Sequence, residues 1–314
     1  MTMKTNSFTF KLTEEQQEAL IQLLGDLKYI PEKVPHTRIA VSLPDCRINL
    51  YHSGKLLVQG KAAKEWIEFT LETEILKEAI LGYEDFHDPE AIQPHMGIDE
   101  SGKGDFFGPL AIASAYVNKE LVEKLREMGV RDSKKISSDK VAMGMARDIR
   151  KLLGDRCAMV RIGPESYNRM YKKIRNVNKI LAWGHARAIE NLLEKVPDCP
   201  RALSDKFGPT RQIENALMKK GQKIRLDQRT KAESDPAVAA ASILARAGFL
   251  YAMRQMGKEY GIEIPKGASE KVRKVAERLV AEKGPSVLTK VAKCHFKTTD
   301  QVLAEVGYSR ADLP

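Results

Sequence analysis

The stretch that decides the fold reads Gly97-Ile98-Asp99-Glu100-Ser101-Gly102-Lys103-Gly104-Asp105-Phe106-Phe107-Gly108-Pro109. Two adjacent carboxylates end an apolar lead-in and stand directly before a glycine-lysine-glycine turn. Because neighbouring side chains of a strand point to opposite faces, we expect the backbone to bend here if both acids serve one site, and the two glycines permit a bend. The turn also offers backbone N–H groups to a polar ligand. The stretch therefore predicts a metal site beside a turn whose backbone groups contact a phosphate-containing substrate.

Two other interpretations of this stretch have to be weighed. Residues 97–103 fit most of the phosphate-loop pattern G-x-x-x-x-G-K-[ST]. Its last position is Gly104, so the hydroxyl that would bind magnesium is missing, and Asp99 and Glu100 would repel phosphates inside the loop. A nucleotide triphosphatase is therefore disfavoured. A solvated acidic turn after a buried strand stays open on these residues alone.

Size and composition limit the class of protein. A chain of 314 residues predicts two domains. The net charge of +10 favours a polyanionic partner, most often nucleic acid. We expect no membrane span, because no apolar run approaches about 18 residues. The scattered cysteines form no C-x-x-C pair, which argues against a zinc site and against disulfides and suits a reducing cytoplasm. They are Cys46, Cys157, Cys199 and Cys294.

The N-terminal residues predict a small α+β module in the order β-α-β-β-β-α, with its helices on one face of a sheet. The capping box Thr13-x-x-Gln16 starts its first helix. Residues 48–60 resemble a half-repeat of the TATA-binding-protein fold, which reads nucleic acid with a curved sheet. An α+β module that binds nothing is the alternative. The predicted strands are 6–12, 37–43, 46–52 and 55–59. The first predicted helix begins at residue 13, the second covers 61–80, and residues 29–35 form a loop.

We expect three segments along the chain. Residues 1–82 form the N-terminal domain, and residues 83–95, which carry Asp and Pro with little periodicity, form a linker. Residues 96–314 form the second domain, which begins with the stretch quoted above and an apolar strand over 109–117 that suits burial on both faces.

Further polar residues of the second domain have a functional and a plain interpretation each. Asp205 ends a predicted strand, where a carboxylate can reach a site at the sheet edge or simply cap a turn. Asp235 or Ser234 caps a helix that opens with Pro236 and an alanine run. His185, alone on a helix, is more often packed or phosphate-facing than catalytic. The loop 131–135 combines a hydroxyl with basic groups that could hold a phosphate or only be solvated.

Taken together, residues 97–104, 203–205 and 231–243 resemble the type-2 ribonuclease H family, and residues 131–135 match its pattern as well. Within that family the chain is similar to ribonuclease HIII. The N-terminal module looks like the TATA-box-type domain of those enzymes, and the fourth acid is Glu233, where ribonuclease HII normally has Asp.

The resemblance implies an α/β protein with an RNase H-like fold, a mixed five-stranded sheet flanked by helices. A small α+β TATA-binding-protein-like domain precedes it in the sequence. It implies an endoribonuclease that cuts the RNA strand of RNA/DNA hybrids and leaves 5′-phosphate and 3′-hydroxyl ends. Asp235 is the substitute candidate for the fourth acid. The implied catalytic and metal-binding acids are Asp99, Glu100, Asp205 and Glu233, and the implied substrate-binding residues are Ser101, Gly102, Lys103, Gly104, Ser133 and Lys134.

The chemistry agrees with the residues. Two Mg²⁺ or Mn²⁺ ions roughly 3.5–4 Å apart can activate water and stabilise the leaving oxygen of a phosphodiester, and such hard cations prefer carboxylates and water. Backbone groups of a glycine turn can contact the 2′-hydroxyl that separates RNA from DNA. We expect a cytoplasmic monomer with a hybrid duplex as its partner. The alternatives are a non-catalytic hybrid- or DNA-binding protein and a transferase or DNA nuclease of the same fold.

Overall fold

The chain divides into two compact units, Met1–Pro89 and Glu90–Pro314. The structure is a computed structural model that describes residues 7–26, 30–77, 89–130, 136, 138–209, 211–217, 220–230 and 232–314. Of the predicted linker, residues 90–95 belong to the second unit, and residues 83–88 lie outside the described part of the chain. The domain limits drawn at 82 and 95 stay a prediction.

The first unit is an antiparallel sheet with its apolar side chains gathered on one face. Its strand order is β1-β5-β4-β3-β2. Ile48, Leu50 and Val58 are fully buried in one core with Leu20 and Ile67 of the helices, which confirms the expected placement of the helices. The elements are β1 (Ser7–Lys11), α1 (Glu14–Asp26), β2 (Ile30–Pro31), β3 (Thr37–Leu43), β4 (Cys46–Tyr51), β5 (Lys55–Gln59) and α2 (Ala63–Trp66), which continues as a π-helix over Ile67–Leu76.

The capping box of α1 is confirmed, and the loop predicted over 29–35 is partly wrong. Thr13 N–H donates to Gln16 Oε1 at 3.0 Å, and Gln16 N–H donates to Thr13 Oγ1 at 3.3 Å. Ile30 and Pro31 form β2, which pairs with β3 at the edge of the sheet. A proline is tolerated on an edge strand because its missing N–H can face away from the ladder.

The second unit is built on a mixed sheet of five strands in the order β10-β9-β6-β7-β8. The β6–β7 and β7–β8 pairs are antiparallel, while β6–β9 and β9–β10 are parallel. The strands are β6 (His95–Ser101), β7 (Leu110–Val117), β8 (Cys157–Ile162), β9 (Arg201–Asp205) and β10 (Arg225–Arg229). The helices are α3 (Lys119–Glu127), α4 (Asp139–Leu153), α5 (Pro164–Ile174), α6 (Val177–Leu193), α7 (Arg211–Glu214), α8 (Pro236–Tyr260), α9 (Glu270–Lys283), α10 (Val287–Val291) and α11 (Lys297–Glu305).

Helices cover both faces of this sheet, as expected. One core joins Ile98 and Ile112 to the buried side chains of α6, and another joins Ala113 and Ala115 to α3, α4 and α8. The chain turns at Arg175, whose φ of 49° is left-handed, before Asn176 caps α6, so α5 and α6 are separate helices.

The alanine run brings α8 very close to the central strand. A Cβ on Gly97 of β6 would lie only 2.1 Å from the backbone nitrogen of Val238. Glycine at position 97 is therefore needed for this contact, which places the start of α8 against β6.

Among the described residues, one helix is long and apolar enough to cross a membrane by length and composition alone, and it is α8. Its apolar window has a mean hydropathy of 1.4, and 83% of that window is buried inside the protein. A buried core helix passes the same test, so the hydropathy of α8 is a weak indication of a span.

Candidate active site

The four predicted acids line one cavity of about 340 Å³ at the sheet edge. Asp99 and Glu100 lie on β6, Asp205 is the last residue of the parallel neighbour β9, and Glu233 lies in the turn directly before α8. Because β6 and β9 are parallel, their carboxyl ends meet at the same edge. The cavity is also lined by residues 101–104 and by Ser242 and Arg246 of α8.

Asp99 and Glu100 reach this cavity from opposite faces of β6. Pairing with β7 continues without a break through Ser101, so the bend that we expected at the acids comes later, at Gly102, whose φ is 91°. Asp99 is held on the α8 side by Ser242, and Glu100 meets His185 of α6. Both carboxylates share one site because the cavity lies at the end of the strand.

Burial raises the pKa of Asp99 from 3.8 to about 6, with the charge of Glu100 as the second cause. The hydrogen bonds from Ser242 and from the Glu100 N–H, the latter 2.8 Å from Asp99 Oδ1, oppose the shift without cancelling it. An isolated pair of neighbouring carboxylates is thus unfavourable here when both are ionised. A cation placed between them would relieve this repulsion.

The raised pKa gives a prediction for the metal-free protein. A carboxyl that is harder to ionise in the folded state lowers stability, and this penalty is absent below pH 3.8, grows with rising pH and is complete above about pH 6. Asp99→Asn should therefore raise the free energy of unfolding at neutral pH by up to about 3 kcal/mol. Urea unfolding in a metal chelator, at neutral pH and below pH 3.8, measures the difference, which should vanish at the acidic pH.

The other two acids are fixed by backbone and position. Asp205 Oδ1 accepts the N–H of Ala232 at 3.3 Å, a contact that ties the end of β9 to the turn holding Glu233. Glu233 is half-buried and faces the cavity. Oxygen ligands from three separate segments thereby converge on one space.

Asp235, the substitute candidate for the fourth acid, has a different place. Its Oδ1 accepts the N–H groups of Ala237 and Val238 at 2.8 and 3.2 Å, and its carboxylate lies 3.0 Å from His95 Nε2. The side chain is 1% exposed and caps α8 inside the protein. Glu233 is therefore the acid of this segment that faces the cavity.

Hydrogen bonds from Gly267 and Lys293 fix the chain directly after the glycine turn. Asp105 accepts the N–H of Gly267 at 2.6 Å. The fully buried Lys293 donates from Nζ to the carbonyl oxygens of Phe107 and Gly108 at 3.2 and 2.7 Å, and burial lowers the pKa of its ammonium group to about 7. These contacts anchor the chain that follows the turn, while residues 101–104 remain at the cavity.

Gly102 and Gly104 differ in what they tolerate. A Cβ on Gly102 would meet the Pro109 carbonyl oxygen at 2.3 Å in a left-handed conformation, whereas around Gly104 nothing in the described structure lies within 4 Å. We expect Gly102→Ala to lower the free energy of unfolding by about 2–4 kcal/mol, and the matched Gly104→Ala to change it by less than about 1 kcal/mol. Urea midpoints test this, and equal stability of the two variants would contradict the close packing at Gly102.

Sequence reasoning missed two residues at this site and the contact of a third. Ser242 and Arg246 could have been found, because they are polar residues four apart on an otherwise apolar stretch of α8 and so share one face. The contact of His185 with Glu100 had no local signal. Ser133 and Lys134, predicted to bind substrate, lie outside the described residues.

The residues fit a hard divalent cation. Four carboxylates supply oxygen ligands. Burial and, second, the charge of Glu100 raise the pKa of Asp99, and a bound cation would offset both effects. Within the described chain, no group of three or more His, Cys, Asp or Glu side chains is arranged to hold an ion by itself.

Comparisons with known proteins show the family of this chain. Residues 96–299 match the family model of ribonuclease HII, and residues 7–78 match a domain of unknown function, DUF3378. Ribonuclease HIII of Protochlamydia amoebophila is 42% identical over 87% of this chain and 88% of its own length. Ribonuclease HIII of Chlamydia pneumoniae is 39% identical over 94% of this chain and 97% of its own.

Solved structures give the same result for the fold. The crystal structure of Bst-RNase HIII in complex with Mn²⁺ has a TM-score of 0.68 and 28% identity, and the match covers 96% of this chain and 99% of that one. Aquifex aeolicus RNase H3 follows with a TM-score of 0.54 and 28% identity over 92% of this chain and all of that one. The chain therefore belongs to the ribonuclease HIII family and has its RNase H-like fold.

Proposed function

We propose that this protein is an endoribonuclease that hydrolyses the RNA strand of RNA/DNA hybrids and leaves 5′-phosphate and 3′-hydroxyl ends. The observation that carries the proposal is the shared cavity, in which Asp99, Glu100, Asp205 and Glu233 converge beside a glycine turn. Family membership with ribonuclease HIII supports the choice of substrate. A protein that only bound hybrids would gain nothing from four converging acids.

The four acids would hold two Mg²⁺ or Mn²⁺ ions. When bound, such a pair supplies an activated water and stabilises the leaving 3′-oxygen. The chain's own part is to keep the carboxylates in place: Ser242 holds Asp99, and the Ala232 N–H holds Asp205. The Mn²⁺ complex of Bst-RNase HIII supports a divalent ion in this family.

Residues 101–104 would read the RNA strand. Gly104 leaves the backbone open to close approach, since nothing in the described structure lies within 4 Å of the place of a Cβ there. An N–H or carbonyl group of the turn can contact a 2′-hydroxyl, which DNA lacks. Lys103 Nζ lies 5.7 Å from the centre of the Phe207 ring, which keeps its ammonium near the cavity and available to a phosphate. Ser133 and Lys134 would add phosphate contacts.

The first unit would hold the hybrid with the face of its sheet opposite the helices. Lys11 and Lys55 are both exposed on this face and lie directly opposite each other in the β1–β5 register. Like charges in that position repel, and a phosphate backbone would relieve the repulsion. Arg47 and Gln59, also paired, continue the polar face.

The test compares substrates with the intact protein. RNA/DNA hybrid, double-stranded DNA and single-stranded RNA are incubated with Mg²⁺ or Mn²⁺, with a chelator as the control. We expect cleavage of the hybrid alone, only with metal, and affinity that falls steeply with salt. Equal cleavage of double-stranded DNA would favour a DNA nuclease of this fold, and hybrid binding without cleavage would favour the binding protein.

We also propose that the protein acts in the cytoplasm and as a monomer. All four acids of the cavity come from one chain, so a single copy supplies the whole carboxylate set, and the four cysteines are free thiols. Sedimentation of the protein with and without hybrid tests the monomer, which a dimer at working concentrations would contradict.

A further inference from the structure

His185 lies buried on α6 against one of the active-site acids. Its Nε2 is 3.0 Å from Glu100 Oε2, and its side chain is only 1% exposed. Because a carboxylate oxygen accepts, Nε2 carries the hydrogen of this bond. Nδ1 has no hydrogen-bond partner within the described structure. The ring therefore directs a donor at Glu100.

The position of His185 follows from how α6 docks on the sheet. Gly184, its neighbour, packs so closely on β7 that a Cβ there would lie 2.7 Å from Ile112 Cδ1. Ile112 is the residue paired with Glu100 across β6 and β7. The absence of a side chain at position 184 thus allows α6 to pack closely on the sheet beside Glu100. This close packing brings the His185 ring within hydrogen-bond distance of the Glu100 carboxylate.

A second contact fixes the ring itself. The Phe207 ring lies 4.8 Å from the His185 ring, centre to centre, at 59°, a tilted arrangement that aromatic pairs favour. Phe207 follows Asp205 by two residues and carries Lys103 near its own face. The imidazole is therefore clamped between an acid of β6 and the segment that leaves β9.

We propose that His185 is a positioning residue that holds the Glu100 carboxylate in the orientation that binds a divalent cation. It touches neither substrate nor reacting atoms, and it acts through one donated hydrogen bond. Groups that orient a metal-binding side chain typically change metal affinity by about 10–100-fold when removed. The inference rests on the proposed function, since it assumes that Glu100 is a metal ligand.

The test uses variants of the full-length protein that separate packing from hydrogen bonding. His185→Leu keeps most of the volume against Phe207 and removes the donor. His185→Gln places an amide N–H near the position of Nε2, and His185→Asn carries the same amide on a shorter side chain that does not reach Glu100. Mn²⁺ affinity is measured by calorimetry or electron paramagnetic resonance, with the Tm of the metal-free protein as the check on folding.

We expect His185→Leu and His185→Asn to bind Mn²⁺ about 10–100-fold more weakly, and His185→Gln to recover most of the affinity. If the leucine protein does not fold, the asparagine and glutamine pair carries the same comparison. Wild-type affinity in the asparagine variant, or an equal loss in the glutamine variant, would overturn the inference. A different result would overturn the proposed function: the wild-type protein with Mn²⁺ would leave hybrids uncut.

Discussion

Asp99→Asn should abolish cleavage of an RNA/DNA hybrid while leaving hybrid binding intact. The substitution keeps the size of the side chain and its acceptor for the Glu100 N–H but removes the charge that would hold a cation. Metal ions contribute several kcal/mol to phosphoryl chemistry, and about 4 kcal/mol corresponds to about a thousandfold in rate. We therefore expect a loss of at least about a thousandfold in single-turnover rate with Mg²⁺.

The matched control for this variant is Asp155→Asn, which removes the same charge from a side chain that is 93% exposed. It should cleave like the wild type. Binding of the hybrid, followed by fluorescence anisotropy in a chelator, should be unchanged or slightly tighter for Asp99→Asn, because an anion near the phosphates has been removed. A variant that kept cleavage would exclude Asp99 as a metal ligand.

Removal of residues 1–85 should weaken hybrid binding and leave the chemical step in place. The carboxylate cavity lies wholly within Glu90–Pro314, which has its own apolar cores, so this site can form without the first unit. We expect the hybrid Kd to rise at least about tenfold, which is about 1.4 kcal/mol, while the single-turnover rate at saturating hybrid stays within a few-fold.

A full-length variant separates loss of the binding face from loss of the unit. Replacing Lys11 and Lys55 by glutamate reverses the charge of two exposed, directly opposed residues and should reproduce much of the weaker binding, with a shallower dependence on salt. If the truncated protein bound the hybrid with unchanged affinity, the first unit would have no role in substrate binding.

The sequence allowed the central parts of the site to be predicted because their signals are local. The glycine turn after Asp99 and Glu100, the carboxylate at the end of β9 and the alanine run of α8 each follow from a few neighbouring residues. Strand alternation also held at the acids, where we expected it to fail. The cavity lies beyond the strand end, so opposite faces of β6 open into one space.

What could not be predicted depends on contacts between distant segments. His185 and Glu100 are 85 residues apart, and their contact requires α6 to settle on β7 at Gly184. Which of Glu233 and Asp235 faces the cavity likewise depended on the fold. The Asp235 carboxylate is engaged by hydrogen bonds with His95 and with the first N–H groups of α8. Ile30 and Pro31 join the sheet only because β3 has a free edge for them.

The most direct test of the shared metal site is the anomalous scattering of Mn²⁺ in crystals of the protein with a hybrid that cannot be cut. We predict two Mn²⁺ ions about 3.5–4 Å apart, bound by carboxylate oxygens of Asp99, Glu100, Asp205 and Glu233. Manganese bound only outside this cavity, or a cavity without manganese at saturating concentration, would contradict the convergence of these four acids on a pair of cations.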